Sequence, residues 1–307
     1  MHDLFNIIFT TDFAFAVLRV TTPILFAALG AVIASKAGIP NIGLEGIMLF
    51  TALMGVLFSA ATQSAFIGLV AAVLVGVIIA AILGYFTLHF KTDVILGGIA
   101  VNLFADGGSI FFLYLFAHDK GTSASLASKI LPSIDIPIIE NIPVLGSIIS
   151  GHNVLTYVSF LLVIVVYYML NKTPLGLRIK AVGENADAAD SVGISVIKTR
   201  YIALLLSGAL CGLGGAYMSM GYISWFSRGM TSGRGWIALA AEAMGRGTTI
   251  GTFATSLLFG AADALSNSLQ SLSIPSEFVQ IIPYVATVVG LVVYAISENR
   301  KKNKIKQ

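Results

Sequence analysis

Charge is what this sequence has least of. Only 11% of its 307 residues are Asp, Glu, Lys or Arg, under half the share of about 25% usual in soluble domains. Fifteen acids against eighteen bases leave a net charge of +3, too small to suggest a nucleic-acid partner. Cysteine is nearly absent: Cys211 stands alone inside an apolar run, which excludes a disulfide framework and any cysteine-based metal site. The four histidines, at 2, 89, 118 and 152, have no metal-ligand spacing, so no metal is expected. No Gly-x-Ser-x-Gly elbow or other nucleophile constellation occurs, so no catalytic residue is assigned and an enzyme is not expected. The P-loop pattern Gly-x-x-x-x-Gly-Lys-[Ser/Thr] is missing too, so this chain should bind no ATP and carry no cofactor of its own. The opening Met-His-Asp-Leu-Phe lacks the basic region of a cleaved signal peptide, and insertion should use the first spanning helix.

Apolar length is what it has in quantity. Hydrophobic residues make up 57% of the chain, and the mean hydropathy is +0.91. No Asp, Glu, Lys or Arg occurs in 46–90, 141–171, 201–227 or 278–297. A spanning helix needs about 20 predominantly apolar residues, so each run can cross a bilayer. As one helix the run 46–90 would reach about 67 Å, twice the hydrocarbon thickness, so it must fold into two spans. Thr62-Gln63-Ser64 is the natural turn. Such long, non-alternating stretches exclude an outer-membrane barrel. The expected fold is all-α: a polytopic transmembrane bundle of eight or nine spans in one domain, 1–307. The spans are 14–35 (kinked at Pro23), two within 46–90, 94–117, 152–170, 201–224, 250–271 and 282–297. The ninth, 236–245, is apolar but short, and its Gly-rich flanks predict a broken or re-entrant helix.

Orientation follows from Lys and Arg in the loops. The loop 172–200 carries Lys172, Arg178, Lys180, Lys198 and Arg200, and the tail carries Arg300, Lys301, Lys302, Lys304 and Lys306. The loop 118–151, long enough for a small folded cap, has only Lys120 and Lys129. The charged loop and the basic tail 298–307 are therefore expected in the cytoplasm, and 118–151 and the N-terminus outside, in a multi-pass protein of the plasma membrane.

Within the charged loop, Gly183-Glu-Asn-Ala-Asp-Ala-Ala-Asp-Ser-Val-Gly193 reads as a short amphipathic helix bounded by its two glycines. It suits a groove on a soluble partner or a solvated linker. Gly-Glu-Asn, then Ala-Ala and Gly-Ile, ahead of the run Leu-Ser-Gly-Ala-Leu-Cys-Gly-Leu-Gly-Gly-Ala at 206–216, resembles permease subunits of ATP-binding-cassette importers. The subgroup is the one serving branched-chain amino acids, ribose-like sugars and nucleosides. Asn41-Ile-Gly-Leu-Glu-Gly-Ile-Met48, Gly233-Arg-Gly-Trp-Ile-Ala-Leu-Ala-Ala241 and Pro283-Tyr-Val-Ala-Thr287 are similar to its nucleoside, guanosine-type branch. The resemblance runs from about residue 20 to 297. One departure stands out: Arg246-Gly-Thr-Thr-Ile-Gly replaces the aromatic- and Pro-containing turn expected after Met244-Gly245.

The resemblance implies a permease that translocates nucleosides by alternating access. Its partners would be a second permease subunit, most simply a heterodimer mate, a separate ABC ATPase holding ATP and Mg, and an extracellular substrate-binding protein. It also implies that Gly183, Glu184, Asn185, Ala188, Ala189 and Gly193 form the ATPase-coupling segment. Sugars or branched-chain amino acids are the alternative solutes.

Glu45, in a first helical turn behind Asn41, either complements the helix dipole or holds a gate by pairing with Lys36 or Arg246. Asp106 and Asp263 lie near the centres of apolar spans, where a carboxylate costs about 2.5–3.5 kcal/mol unless it faces the bundle interior or water. Asn102 lies one turn from Asp106, and Asn267 and Gln270 one and two turns from Asp263, on shared helical faces. These stripes either line a substrate path for an uncharged, hydroxyl-rich solute or glue helices together. An ion-coupled carrier using Asp106 or Asp263 is the rival mechanism. Trp225, among Tyr222, Phe226 and Arg228, reads as an interfacial anchor or, by family position, an aromatic on the path. Gly208 and Gly212 read as a helix-packing pair.

Overall fold

The computed structural model describes residues 10–137, 142, 144–269 and five positions between 285 and 292. Gln270 and the tail 298–307 lie outside the described residues, as does most of the expected span 282–297.

Helix α1 (Thr11–Lys36) begins where Thr10 Oγ1 accepts the N–H of Phe13 at 3.2 Å and ends on Lys36, a cation at the negative end of the dipole. Helices α2 (Leu44–Thr62) and α3 (Ala65–Leu88) divide the long apolar run at the expected turn, with Gln63 in the left-handed region at φ 53°. Asp93 then opens α4 (Val94–Ala117), its Oδ1 accepting from the N–H of Ile95 and Leu96 at 2.9 and 3.0 Å. After the long loop comes α6 (Val154–Lys172), and after the charged loop α9 (Val196–Tyr217), which continues as a π turn, Met218–Tyr222. These six helices are long and apolar enough to cross a membrane. Helix α11 (Thr249–Leu269) takes the place of the expected span 250–271. Between α9 and α11, α10 (Arg234–Met244) has eleven residues and reaches about 16 Å, half the hydrocarbon core, as its short apolar run predicts.

The long loop folds into a cap. Strands β1 (Ser133–Ile134) and β2 (His152–Asn153) pair antiparallel around the single-turn helix α5 (Leu145–Ile149). The cap grips the segment after the π turn: Phe226 N–H donates to Ser123 Oγ at 2.8 Å, and Arg228 N–H to Gly121 O at 2.8 Å.

The spans sort into two layers. The apolar windows of α1, α2 and α9 are 78%, 78% and 72% buried, against 33%, 17% and 28% for α3, α4 and α6. Small residues let the layers touch. A Cβ on Gly208 would collide with Gly76 of α3, and one on Gly212 would lie 2.8 Å from Val73, so this pair is a helix-packing motif as expected. Pro23 sits inside α1 and leaves the carbonyl of Arg19 without its helical N–H. Tyr217 Oη donates to that carbonyl at 3.0 Å. Thr156 and Thr22 extend the chain of hydroxyls, so α1, α6 and α9 are joined where α1 is weakest.

Candidate functional site

Two helices begin inside the bundle rather than at its face. Before α2, Asn41 is fully buried; its Oδ1 accepts from Gly43 N–H at 3.0 Å and its Nδ2 donates to Ser207 Oγ at 3.0 Å. Ser207 lies eleven residues beyond the start of α9, about 16 Å along it, which places the start of α2 beside the middle of α9, inside the bundle. Asn41 therefore shapes the turn, and the cap on α2 comes from elsewhere. Asn102 of α4 supplies it: Oδ1 accepts from Gly46 N–H at 2.8 Å, and Nδ2 donates to Ile42 O at 3.0 Å. Both halves of the Asn102 amide are thus engaged with backbone. Of the two readings left open, fastening and lining, this geometry is that of fastening.

Helix α10 begins beside it. Glu45 Oε1 accepts from Gly233 N–H at 2.8 Å and Oε2 from Gly235 N–H at 2.6 Å. Two helix N-termini, each a partial positive charge with orphan N–H groups, thus converge on one carboxylate. The fit is close: a Cβ on Gly235 would lie 2.5 Å from Glu45 N. No ion pair joins Glu45 to Lys36 or Arg246 among the described residues. Of the two readings of Glu45, the gate pairing is not formed among the described residues, and the first-turn carboxylate anchors the broken helix.

The first residue of α10 fixes the second carboxylate. Arg234 Nη2 pairs with Asp263 Oδ2 at 2.8 Å, with the side chains 10% and 13% exposed. Asp263, fourteen residues into α11, takes a cation as partner, because an isolated buried charge is far costlier than a paired one. The Arg234 guanidinium also lies 5.8 Å from the Tyr222 ring, which Arg19 covers at 4.4 Å from the other helix. Its Nε is buried with no hydrogen-bond partner among the described residues.

Asp106 is placed differently. It is exposed on α4, between exposed Ile99, Leu103 and Phe111. Asn267 is exposed on α11, and Trp225 is 44% exposed beside the cap. The structure therefore brings Glu45, Arg234 and Asp263 into one cluster, and leaves Asp106, Asn267 and Trp225 on open faces. Arg234 escaped sequence reasoning, although an arginine flanked by glycines at the head of a short apolar helix signals a buried carboxylate partner.

The family model for the permease component of branched-chain amino acid transport systems matches residues 13–297. The chain belongs to that family. Among its relatives, the nucleoside ABC transporter permease NupC of Lactococcus lactis is 33% identical, with 89% of each chain covered. The guanosine ABC transporter permease NupQ of Bacillus subtilis is 34% identical, covering 90% of this chain and 89% of its own. Each organism contributes a second, more distant match of the same naming, NupB and NupP. An inward-facing metal-chelate type ABC transporter shares the fold, with TM-score 0.50 and 17% identity over 94% of this chain and 88% of that one. The permease is thus a multi-pass membrane protein, and its paired relatives point to a second permease subunit.

The permease's charged loop departs from the expected single helix. It forms two, α7 (Pro174–Glu184) and α8 (Ala186–Ser191), broken at Asn185, whose Oδ1 accepts from Ala188 N–H at 3.0 Å. An Asn at this point caps a new helix rather than continuing the old one. Gly183 bounds nothing: it lies in the last turn of α7, where a Cβ would strike the carbonyl of Lys36. Gly193, at φ 83°, does end the segment. Ala189 is 4% exposed and faces the permease itself. Glu184, Asn185, Ala188 and Asp190 are exposed, with Val192 at 74%.

Proposed function

We propose that the chain is a permease subunit of an ATP-driven importer that moves nucleosides by alternating access. The solute class rests on one observation: a third of the residues, over about nine tenths of the chain, match permeases named for nucleoside and guanosine transport. A second permease subunit completes the path, a separate ATPase binds ATP and Mg, and an extracellular binding protein delivers solute. The charged loop and the C-terminus face the cytoplasm, and the cap 118–151 lies outside, with the N-terminus.

The convergent helix starts give this mechanism a hinge. Helix α10 crosses only half the core and is held by Glu45 at its head and by Arg234–Asp263 beside it. Such anchors bind a rigid element at few points, which is what a rocking half-helix needs. Asp106, Asn267 and Trp225 face the second permease and the path between the two subunits. A carboxylate exposed to lipid at mid-span would cost about 2.5–3.5 kcal/mol, and a wet path removes that cost. The ion-coupled alternative is weakened because Asp263 already holds a fixed cation.

On the cytoplasmic side, Ala188 and Val192 form a small apolar centre ringed by Glu184, Asp187 and Asp190, and this surface seats the ATPase. Because Ala189 points inward, Val192→Glu is the sharper probe. It should leave melting within about 0.5 kcal/mol of the parent, as exposed substitutions do, yet abolish ATPase co-purification. Normal ATPase binding by that variant would make the segment a linker.

Uptake of labelled guanosine, ribose and leucine into vesicles holding the permease with its ATPase and binding protein tests the whole reading. Guanosine uptake that requires ATP is the expected result. Preferential uptake of ribose or leucine would overturn the solute class, and ATP-independent uptake the mechanism.

A further inference from the structure

At the Lys- and Arg-rich end of the bundle, a cavity of about 550 Å³ opens among the ends of α1, α6 and α7 and the start of α11. It contains none of Glu45, Arg234 and Asp263, and it shares only Gly183 and Glu184, at its rim, with the proposed ATPase-coupling segment. Its wall carries Ser35, Lys36, Asn171, Lys180, Glu184 and Thr249. Lys180 is held in place: Nζ donates to Asn171 Oδ1 at 2.6 Å, and Asn171 Nδ2 to Tyr167 O at 2.8 Å. At the head of α11, Thr248 takes up the N–H groups of Gly251 and Thr252. Those of Thr249 and Ile250 belong to the first turn, which has no helical acceptors. Two ammonium groups and the positive end of a helix thus face one space.

Two acids moderate that charge. Glu184 stands exposed on the rim. Glu242, behind the wall, lies beside Ser35 and Lys36. Lys180 is therefore the leading cation and Lys36 the secondary one.

The surroundings say what kind of anion fits. The cavity lies at the level of Asn171, one residue before α6 ends, so it sits at the depth of lipid phosphates rather than of acyl chains. Its mouth is flanked by apolar side chains, Tyr167 at 43% and Ile250 at 60% exposure. Leu161, Ile164 and Tyr168 on α6 are 58%, 65% and 61% exposed, as befits a helix bathed in lipid. Basic pockets between spanning helices at such a depth are where anionic head groups bind.

We propose that this cavity binds the phosphate of an anionic phospholipid from the adjacent leaflet, with Lys180 and Lys36 holding the phosphate oxygens. The proposal does not depend on the transported solute. Native mass spectrometry of the full-length chain in detergent, titrated with dioleoyl phosphatidylglycerol or dioleoyl phosphatidylcholine, tests it. Phosphatidylglycerol should be retained preferentially. Lys180→Gln should weaken that retention about fivefold and Lys180→Arg should preserve it, since one basic residue near a lipid surface is worth about that factor. Glu184→Gln, at an exposed site, should strengthen phosphatidylglycerol retention by removing a repulsive charge, and it keeps the test decisive if Lys180→Gln aggregates. Equal retention of the two lipids would overturn the proposal, as would unchanged retention in Lys180→Gln. Weaker retention in Glu184→Gln would overturn it too, because the rim acid would then be binding a head-group amine. Inorganic phosphate or AMP is the soluble-source control. If either raises the melting temperature of lipid-free protein through Lys180 while phosphatidylglycerol shows no preference, the lipid assignment is wrong.

Discussion

Two carboxylates near the middle of spanning-length helices meet opposite fates. Asp263 on α11 is paired with Arg234 at 2.8 Å and is 13% exposed. Asp106 on α4 is exposed. In sequence they look alike, each with an amide one turn away. The difference teaches that a membrane bundle neutralises intramembrane charge in two ways. Where the chain folds back on itself, at the head of α10, the charge is cancelled internally and ties elements together. On the thinly covered outer helix α4, it is left for water or for another subunit. The neighbouring amides diverge as well: Asn102 is spent on capping α2, and Asn267 remains on an open face.

The largest effect should come from breaking the buried pair. Asp263→Ala leaves Arg234 charged, buried and without its ionic partner, and should cost about 3–5 kcal/mol, read as a lower melting temperature in detergent. Replacing both, Arg234→Leu with Asp263→Leu, should recover most of that loss, because a well-packed apolar pair removes the desolvation cost. If the single variant melts like the parent, Asp263 is not internally cancelled and the contrast with Asp106 disappears.

Next in size is Glu45→Ala. It strips two charge-assisted bonds from the head of α10, each worth about 1.5–3 kcal/mol, with incomplete additivity between them. Melting should fall, and proteolysis should begin in the segment before α10. Cleavage confined to the cap would contradict the anchoring role.

Asn102→Ala should cost about 1–2 kcal/mol, the usual loss for a helix cap, and leave solute preference unchanged in surviving molecules. A changed preference at parental stability would return Asn102 to the path.

Asp106→Asn should have the smallest effect on stability, within about 0.5 kcal/mol, while lowering uptake. A cysteine at 106, in a Cys211→Ala background, should react with a small water-soluble thiol reagent in the assembled complex. Failure to label in every nucleotide state would place Asp106 in a dry subunit contact.

Much of the fold was legible because its causes are local. The turn at Gln63, the Asp93 start of α4, the half-length α10 and the Gly208–Gly212 packing pair each follow from a few consecutive residues. The break at Asn185 was locally legible as well, since Asn followed by Ala-Asp-Ala-Ala is a cap and a first turn. The two flanking glycines mask it, because they suggest a single helix bounded at 183 and 193. The inward face of Ala189 was not legible, because a six-residue helix with several alanines has no clear apolar side. The site was legible only in its members. Glu45 stands out by its place in a first helical turn and Asp263 by its cost in a membrane, but their partners lie in other segments, and nothing local marks Arg234 as the cation that Asp263 takes.

What the sequence by itself determined is which segments form helices long and apolar enough to cross a membrane. A spanning helix satisfies its own backbone and needs only a sufficient run of apolar side chains, so hydropathy along about 20 residues decides it. What only the tertiary structure decided is how the broken helices are completed. A helix that starts buried inside the bundle leaves N–H groups that neither solvent nor its own turns can satisfy. The acceptors come from far along the chain: Glu45 reaches across 188 and 190 residues to α10, and Asn102 across 56 to α2. No local pattern encodes such distances, because the need arises only when the two helix ends meet.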